Sequence, residues 1–405
     1  MWKRPARSVP LPRANPKTRL TLKLAGGTLI LSALFAAGCG AGDAGSGDAG
    51  SGDAGSSSVS ESRTTVVAQG EEPTEETAAA SDASPVEVRA TTLASGLELP
   101  WDVAFLPEGD ALVTERDSNR LLRVTPEGEV LEVQTVDEAT GGGEGGLLGV
   151  ALSPDYESDG YVYAYYTTDD DNRIGRFQLG ESPEPVFTGI PKAGNHNGGR
   201  MEFGPDGMLY VGTGDASEGG LSQDRDSLAG KILRITPEGE VPDDNPVDGN
   251  PLYSLGHRNV QGLAWDAEGQ LYASEFGQNT YDEANRIVAG ENYGWPEVEG
   301  DGGEPEYVDP ISTWATSEAS PSGAAFLTDG AIPQWDGDFF MAALRGERLW
   351  RLEIENGEVT DREALLEGEY GRMRHVAQAP DGSLWVLTSN GQDDEIVRLA
   401  PAEES

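Results

Sequence analysis

One short pattern recurs six times between residues 106 and 401: a turn with Gly or Asp, an apolar strand, a break, and often a second strand with an arginine. No long segment shows the 3.6-residue period of an amphipathic helix, so the chain is predicted to be all-β. Repeated antiparallel units with one turn signature predict a six-bladed β-propeller of four-stranded antiparallel blades. An irregular β-sandwich would not require six copies. The copies occupy residues 106–128, 153–180, 204–239, 266–277, 332–357 and 379–401.

The propeller domain is expected to span residues 87–401, because the sequence before it has a different composition. Residues 40–86 contain three GDAGS units, followed by a Ser/Thr/Glu/Ala-rich stretch with almost no large apolar side chains. Such a segment buries too little apolar surface to offset the entropy lost on ordering. It is therefore predicted to be a disordered tether.

Residues 1–39 are predicted to be a lipoprotein-type signal peptide ending at Cys39. A basic segment, residues 3–23, precedes a mostly apolar run, Leu24–Gly38, that is short for a membrane span. The run ends Ala-Ala-Gly directly before the single cysteine and resembles a lipoprotein signal-peptidase site. The protein is therefore expected to be exported and anchored outside the cytoplasm by a lipid on Cys39. An ordinary secretory peptide with an incidental cysteine is the alternative.

The charge of the chain excludes two classes of partner. Seven of the 28 Lys and Arg residues and none of the 71 Asp and Glu residues precede Cys39, so the rest of the chain carries a net charge of −50. A surface of this charge repels nucleic acid and anionic lipid headgroups. Nucleic acid is therefore not expected as a partner, and membrane contact is expected only through the lipid anchor.

Residues 194–215, GNHNGGRMEFGPDGMLYVGTGD, contain a candidate general base. His196 stands in a Gly- and Asn-rich turn, where a side chain is free of core packing and can face a cleft. Asp215 closes a later turn, and a carboxylate there can hold the tautomer of the histidine. Spacing alone leaves open the alternative of a solvated histidine in a surface turn.

Six segments, in order, resemble the glucose/sorbosone dehydrogenase family, and within it the PQQ-dependent aldose sugar dehydrogenases. The resemblance covers roughly residues 90–400. It implies oxidation of an aldose at C1 to the lactone, with hydride passing to PQQ, Ca²⁺ as a second cofactor, and electrons leaving to an external acceptor. The segments are GEGGLLG (143–149), HNGGR with FGPDGMLYVGTGD (196–215), LGHRNVQGLAW (255–265), NYGWP (292–296), ALRGERLWRL (343–352) and GRMRHV (371–376).

The resemblance assigns three residues to the reaction. His196 matches the family's catalytic base, and Asp215 matches the aspartate that orients it. Arg258 matches the arginine near the reactive quinone carbonyl, where it stabilises developing negative charge. Asn259 and Gln261 follow it closely and are expected at the cofactor. The chain has no Cys-x-x-Cys-His haem attachment, so the acceptor is expected to be a separate quinone, cytochrome or dye.

Three arginines are candidate anchors for the three carboxylates of PQQ: Arg345, Arg372 and Arg374. Arg372 and Arg374 alternate with Met373, so on a strand they share one face. Two like charges on one face are unfavourable without an anion between them, although ion pairs with nearby carboxylates are the alternative. Glu144 stands where relatives carry Gln or Glu and is also expected near the cofactor.

The segment SEFGQNTYDEANRI, residues 274–287, resembles the family's calcium loop. That loop binds the metal through the backbone carbonyls of a Gly-Pro pair, whose positions are taken here by Gly277 and Gln278. Backbone oxygens suit Ca²⁺. Asp282 matches the downstream aspartate of the loop, and an acidic surface loop is the alternative. A second calcium after NYGWP, bound through Asp301 or Glu304, is left open.

Two other functions are weighed against the dehydrogenase. A Ca²⁺-dependent lactonase-type propeller needs carboxylates at the channel, whereas this chain offers an arginine trio. A non-catalytic extracellular binding propeller predicts loss of the base or of the anchors, and neither is lost. Trp295 and Trp314 could stack on a sugar face or belong to the core, so the natural substrate is not determined.

Overall fold

The computed structural model describes residues 85–303 and 305–402. Nearly all of the predicted signal peptide and tether, and Glu304, lie outside the described residues. The described part contains six four-stranded antiparallel sheets, which confirms the prediction of an all-β, six-bladed propeller. Within that part, no helix has the length and apolar character needed to cross a bilayer.

The strands follow the chain from blade to blade, except that β1 (Val88–Leu97) belongs to the last blade. Blade one contains β2 (Pro100–Phe105), β3 (Ala111–Glu115), β4 (Arg120–Val124) and β5 (Val130–Thr135); blade two contains β6 (Leu147–Leu152), β7 (Tyr161–Thr167), β8 (Asn172–Gln178) and β9 (Glu184–Ile190); blade three contains β10 (Met201–Phe203), β11 (Leu209–Gly212), β12 (Lys231–Ile235) and β13 (Leu252–Leu255).

The second half of the molecule repeats this arrangement. The helical segments of the described residues are one short α-helix between β6 and β7, α1 (Tyr156–Asp159), and two 3₁₀ turns, one between β11 and β12 (Gly219–Ser222) and one in blade five (Pro333–Trp335). Blade four contains β14 (Val260–Trp265), β15 (Leu271–Glu275), β16 (Tyr281–Arg286) and β17 (Ser312–Ala315); blade five contains β18 (Pro321–Phe326), β19 (Phe339–Ala343), β20 (Arg348–Glu355) and β21 (Glu358–Leu365); blade six contains β22 (Met373–Gln378), β23 (Leu384–Thr388) and β24 (Asp394–Pro401), with β1 as its outer strand.

The recurring sequence pattern corresponds to the middle strands of each blade. Five of the six copies contain both middle strands, and the copy at residues 266–277 contains only β15. Middle strands are apolar because other blades cover both of their faces; β3, for example, is buried throughout. Outer strands such as β5 face solvent along much of their length. Their composition is therefore mixed, and they do not stand out as apolar runs in the sequence.

The apolar core lies between neighbouring blades. One cluster joins Trp101 of blade one, Leu148 of blade two and Met201 of blade three. The first strand of each blade lies innermost, so the loops that follow or precede these strands meet at one mouth of the central channel. Residues that are far apart in the sequence therefore become neighbours there.

Charged side chains also hold the centre of the propeller together. Arg200 is fully buried, forms an ion pair with Asp102, and lies 4.3 Å above the ring of Trp101. The Nε2 atom of His375 lies 3.2 Å from a carboxylate oxygen of the same Asp102. Because these residues come from blades one, three and six, the group connects three blades and gives His375 a structural position.

Candidate active site

His196 and Asp215 form a hydrogen-bonded pair at the channel mouth. The Nδ1 atom of His196 lies 2.7 Å from Oδ1 of Asp215. An ionised carboxylate can only accept, so Nδ1 carries the proton and Nε2 is left free to accept another. Gly214 permits this approach, since a Cβ there would lie 1.9 Å from the backbone oxygen of His196. The geometry is that of a general base and its orienting carboxylate.

Asp215 is buried, yet hydrogen bonds keep it ionised. Oδ1 also accepts the backbone N–H of Ser217 at 2.7 Å, and Oδ2 accepts the indole N–H of Trp295 at 2.9 Å. Burial raises the pKa of Asp215, but the hydrogen bonds from His196, Trp295 and Ser217 outweigh it and hold the pKa below its usual value. The carboxylate is therefore charged at neutral pH and can stabilise a protonated His196.

Two predicted cofactor residues hold the loop that carries His196. The backbone of His196 has a φ of +59°, in the left-handed region that most residues avoid. Its N–H donates to a carboxylate oxygen of Glu144 at 2.7 Å. The side-chain oxygen of Asn259 accepts the N–H of Gly198 at 2.9 Å. Glu144 and Asn259 thus hold the backbone of the loop that carries His196.

A cavity of about 220 Å³ opens beside this pair. Five of the predicted cofactor-binding residues line it: Glu144, Gln261, Arg345, Arg372 and Arg374. Since Glu144 is also bonded to the His196 backbone, the cavity and the candidate base are adjacent. The other lining residues are Trp101, Arg116, Phe276, Ser320 and Leu344.

Of the four arginines that line the cavity, only Arg116 has a carboxylate partner among the described residues, since its Nε lies 2.6 Å from Oδ1 of Asp117. Among the described residues, no carboxylate forms an ion pair with Arg345, Arg372 or Arg374, which excludes the alternative of ion pairing for the described part of the chain. Arg374 donates instead to Gln261 at 2.7 Å. Burial, followed by the positive charges of Arg116 and Arg372, lowers the pKa of Arg374 to about 9. Such a cluster favours an anion with several negative groups, and a tricarboxylate fits it.

Arg258 lies between the His–Asp pair and the loop after β15. Its backbone oxygen accepts the N–H of Asp215 at 2.7 Å, and its guanidinium donates to the backbone oxygen of Phe276 at 3.3 Å. The Nε atom is buried without a hydrogen-bond partner in the described residues. Burial lowers the pKa of Arg258. A half-buried cation with an unused donor is suited to stabilise negative charge on a bound molecule.

In the predicted calcium loop, Glu299 accepts hydrogen bonds from several backbone N–H groups. One carboxylate oxygen of Glu299 accepts backbone N–H groups from Gln278, Asn279 and Thr280 at 2.5, 2.9 and 3.1 Å. The carbonyl oxygens of Gly277 and Gln278 accept no hydrogen bond from the described residues. Free backbone carbonyls are ligands that Ca²⁺ accepts, and the remaining ligands would come from the cofactor and water. The loop therefore fits the metal.

Asp282 is hydrogen-bonded to the backbone of the predicted calcium loop and does not line the cavity of the arginines. Its two oxygens accept the N–H groups of Gly277 at 2.9 Å and Ser320 at 2.6 Å. Burial raises the pKa of Asp282 to about 6.

In the turn after NYGWP, Asp309 accepts the N–H of Gly303 at 2.7 Å, so a different aspartate from Asp301 orders that turn. The second calcium stays a prediction.

Sequence reasoning missed Arg116 and left the role of two tryptophans undecided. Trp314 is 2% exposed and packs in the core, whereas Trp295 lies against the His–Asp pair. Arg116 is the first residue after β3, just as Phe276 follows β15 and Leu344 follows β19. All three line the cavity. The position after the second strand of a blade was thus a signal that could have identified Arg116.

The remaining histidine, His257, is fully buried and packs as a structural residue. Its Nδ1 lies 2.8 Å from a carboxylate oxygen of Glu275, and its Nε2 lies 2.8 Å from the hydroxyl of Ser254. Its ring stacks on Tyr293 with 4.8 Å between centroids. Both ring nitrogens are used, so this histidine has no free atom for catalysis.

Comparison with known proteins identifies the family of the chain. A solved PQQ-bound aldose sugar dehydrogenase from Streptomyces coelicolor is 51% identical, with a TM-score of 0.73, over 78% of this chain and 99% of that one. The aldose sugar dehydrogenase YliI of Escherichia coli (strain K12) is 31% identical over 79% of this chain and 94% of its own length. The sequence profile described as Glucose / Sorbosone dehydrogenase matches residues 97–398. The chain belongs to the glucose/sorbosone dehydrogenase family and is an oxidoreductase of that family.

Proposed function

We propose that this protein oxidises aldose sugars at C1 to lactones, with PQQ and Ca²⁺ as cofactors. The observation that carries the proposal is the cavity of about 220 Å³ in which arginines without carboxylate partners lie next to the His196–Asp215 pair. Arg374 among them is buried, and a binding propeller has no need for a buried arginine without a carboxylate partner beside a free imidazole nitrogen.

Each residue of the site has a distinct task in this proposal. Arg345, Arg372 and Arg374 bind the carboxylates of PQQ, and Arg116, which is paired with Asp117, lines the same cavity. The carbonyl groups of Gly277 and Gln278 hold Ca²⁺. Bound PQQ supplies a quinone that accepts the hydride from the sugar.

The proton of the sugar hydroxyl passes to Nε2 of His196. Asp215 stabilises the resulting imidazolium through the hydrogen bond to Nδ1, and Arg258 lies where it stabilises negative charge that develops during the reaction. Glu144 keeps the imidazole in place through the His196 backbone. The hydrogen bond between His196 and Asp215 and the position of Arg258 support these assignments.

The proposal is tested with protein that lacks residues 1–39. Dye-linked oxidation of a panel of aldoses and of sorbosone is measured with PQQ and Ca²⁺ together and with each omitted. We expect activity only when both are present. Arg374→Gln is expected to weaken PQQ binding at least tenfold, because it removes a charged anchor, whereas Arg398→Gln on the surface has no effect. Absence of both turnover and saturable PQQ binding would support the non-catalytic binding domain instead.

We also propose that the protein is exported and anchored by a lipid at Cys39, and that its electrons pass to an external acceptor. Replacing the only cysteine tests the anchor. Cys39→Ser is expected to move the protein from the membrane fraction to the soluble extracytoplasmic fraction. Equal membrane association of both forms would rule out the lipid anchor.

A further inference from the structure

The indole of Trp295 contacts both Asp215 and Arg258, two of the residues assigned to the proposed reaction. Its N–H donates to Oδ2 of Asp215 at 2.9 Å, and the guanidinium of Arg258 lies 5.4 Å from the centroid of its ring. The backbone of Trp295 is fixed as well, since its N–H donates to Gly256 at 2.9 Å and its carbonyl accepts from Gln223 at 2.7 Å.

The hydrogen bond to Asp215 determines how that carboxylate is turned. Oδ1 of Asp215 accepts hydrogen bonds from His196 and Ser217. Among the described residues, Trp295 is the one donor to Oδ2. A carboxylate held at both oxygens cannot rotate about its terminal bond. The His196 ring that is bonded to it then keeps Nε2 in one direction.

The ring face of Trp295 contacts the Arg258 guanidinium without occupying its hydrogen-bond donors. This guanidinium is largely buried, and its Nε atom has no hydrogen-bond partner in the described residues. The electron-rich face of an indole attracts a cation without using its donors. The donors of Arg258 consequently stay available for a bound molecule.

We propose that Trp295 is a positioning residue that orients the His196–Asp215 pair with its N–H and Arg258 with its ring. One side chain thereby sets the geometry between the base and the cation. The inference rests on the proposed function for its catalytic consequence, but the two contacts are properties of the protein alone.

Two substitutions separate the two contacts. Trp295→Phe keeps an aromatic face for Arg258 and removes the donor to Asp215. Trp295→Gln keeps a donor and removes the face. Trp314→Phe is the matched control, because Trp314 is buried in the core and its indole N–H has no partner in the described residues. It reports the cost of shortening a buried tryptophan without touching the site.

The expected signature of Trp295→Phe is a change in pH dependence. Loss of the indole donor raises the pKa of Asp215, because that hydrogen bond lowers it. The acidic limb of the kcat profile is then expected to move to higher pH by about one unit, with kcat near pH 7 about tenfold lower and KM within about twofold. Trp295→Gln is expected to keep the acidic limb within about 0.3 unit and to lower kcat at all pH values. An unchanged limb in Trp295→Phe, or the same shift in Trp314→Phe, would overturn the inference.

A second readout needs neither cofactor nor turnover. The chain has three histidines, so the proton on Nδ1 of His196 can be assigned by NMR against His196→Ala. Trp295→Phe is expected to shift that signal or broaden it, and Trp314→Phe to leave it in place. If the wild-type protein oxidised no sugar but this shift were observed, the proposed function would fail while the positioning role would stand. An unmoved signal in Trp295→Phe would refute the positioning role.

Discussion

Single side chains decide what the centre of this propeller can do. Arg374 is buried and Arg258 is half-buried, with donors that no carboxylate of the described residues satisfies, and Asp215 keeps its charge in spite of burial. Such arrangements cost stability in the absence of a ligand. These unpaired arginine donors and the ionised Asp215 distinguish this channel from one that only packs apolar side chains.

Asp215→Asn is expected to abolish most turnover while leaving PQQ binding intact. The amide cannot stabilise a protonated His196, and its NH₂ group favours the tautomer that places the proton on Nε2. We expect kcat to fall about a hundredfold or more, with an unchanged PQQ dissociation constant in a fluorescence titration. A kcat near the wild-type value would show that Asp215 does not orient the base.

Loops between strands bring these side chains together, and each loop is held by a few buried hydrogen bonds. Glu299 holds one of these loops, because its carboxylate accepts hydrogen bonds from several backbone N–H groups of the loop after β15. With the N–H groups engaged there, the carbonyl groups of Gly277 and Gln278 remain available. The loop is thus ordered by a residue that the sequence did not mark.

Glu299→Gln is expected to weaken Ca²⁺ binding about tenfold, since a neutral amide holds the loop N–H groups less strongly than a carboxylate does. Binding is measured by the rise in melting temperature with Ca²⁺ concentration, which requires no enzyme activity. Glu297→Gln, at an exposed neighbouring position, is the control. Equal Ca²⁺ affinity in the two variants would show that Glu299 does not support the metal loop.

At the scale of the whole molecule, the two ends of the propeller close it into a ring. β1 pairs with β24 from Val88 opposite Pro401 to Leu97 opposite Asp394. Leu97 and Ala94 enter the core between blades six and one, with 1% and 4% exposure. Blade six is therefore built from both ends of the domain.

Removing residues 1–97 is expected to open the ring. The truncated chain exposes the edge of β24 and the apolar side chains that β1 covers. Its melting temperature should fall by at least about 10 °C, or its cooperative transition should disappear. A chain that lacks only residues 1–84 should melt within about 2 °C of the full-length protein. Equal melting temperatures for the two truncations would contradict this account of closure.

The sequence predicted those parts of the fold that depend on local pattern. The middle strands of each blade are apolar and bounded by turns, so their number could be read from the repeat. The contribution of β1 to blade six could not, because β1 carries no pattern that distinguishes pairing with a distant strand. The catalytic and anchoring candidates came from family motifs, whereas Arg116, Glu299 and the contacts of Trp295 depend on which loops meet in space.

The most direct test of the central claim is anaerobic reduction of PQQ in the loaded protein after mixing with an aldose. The absorbance of bound PQQ is followed in the wild type and in His196→Ala. We expect rapid reduction in the wild type, and in His196→Ala an unchanged PQQ affinity with a rate about 10²–10⁴ times lower. Reduction by His196→Ala at the wild-type rate would contradict the assignment of His196 as the base.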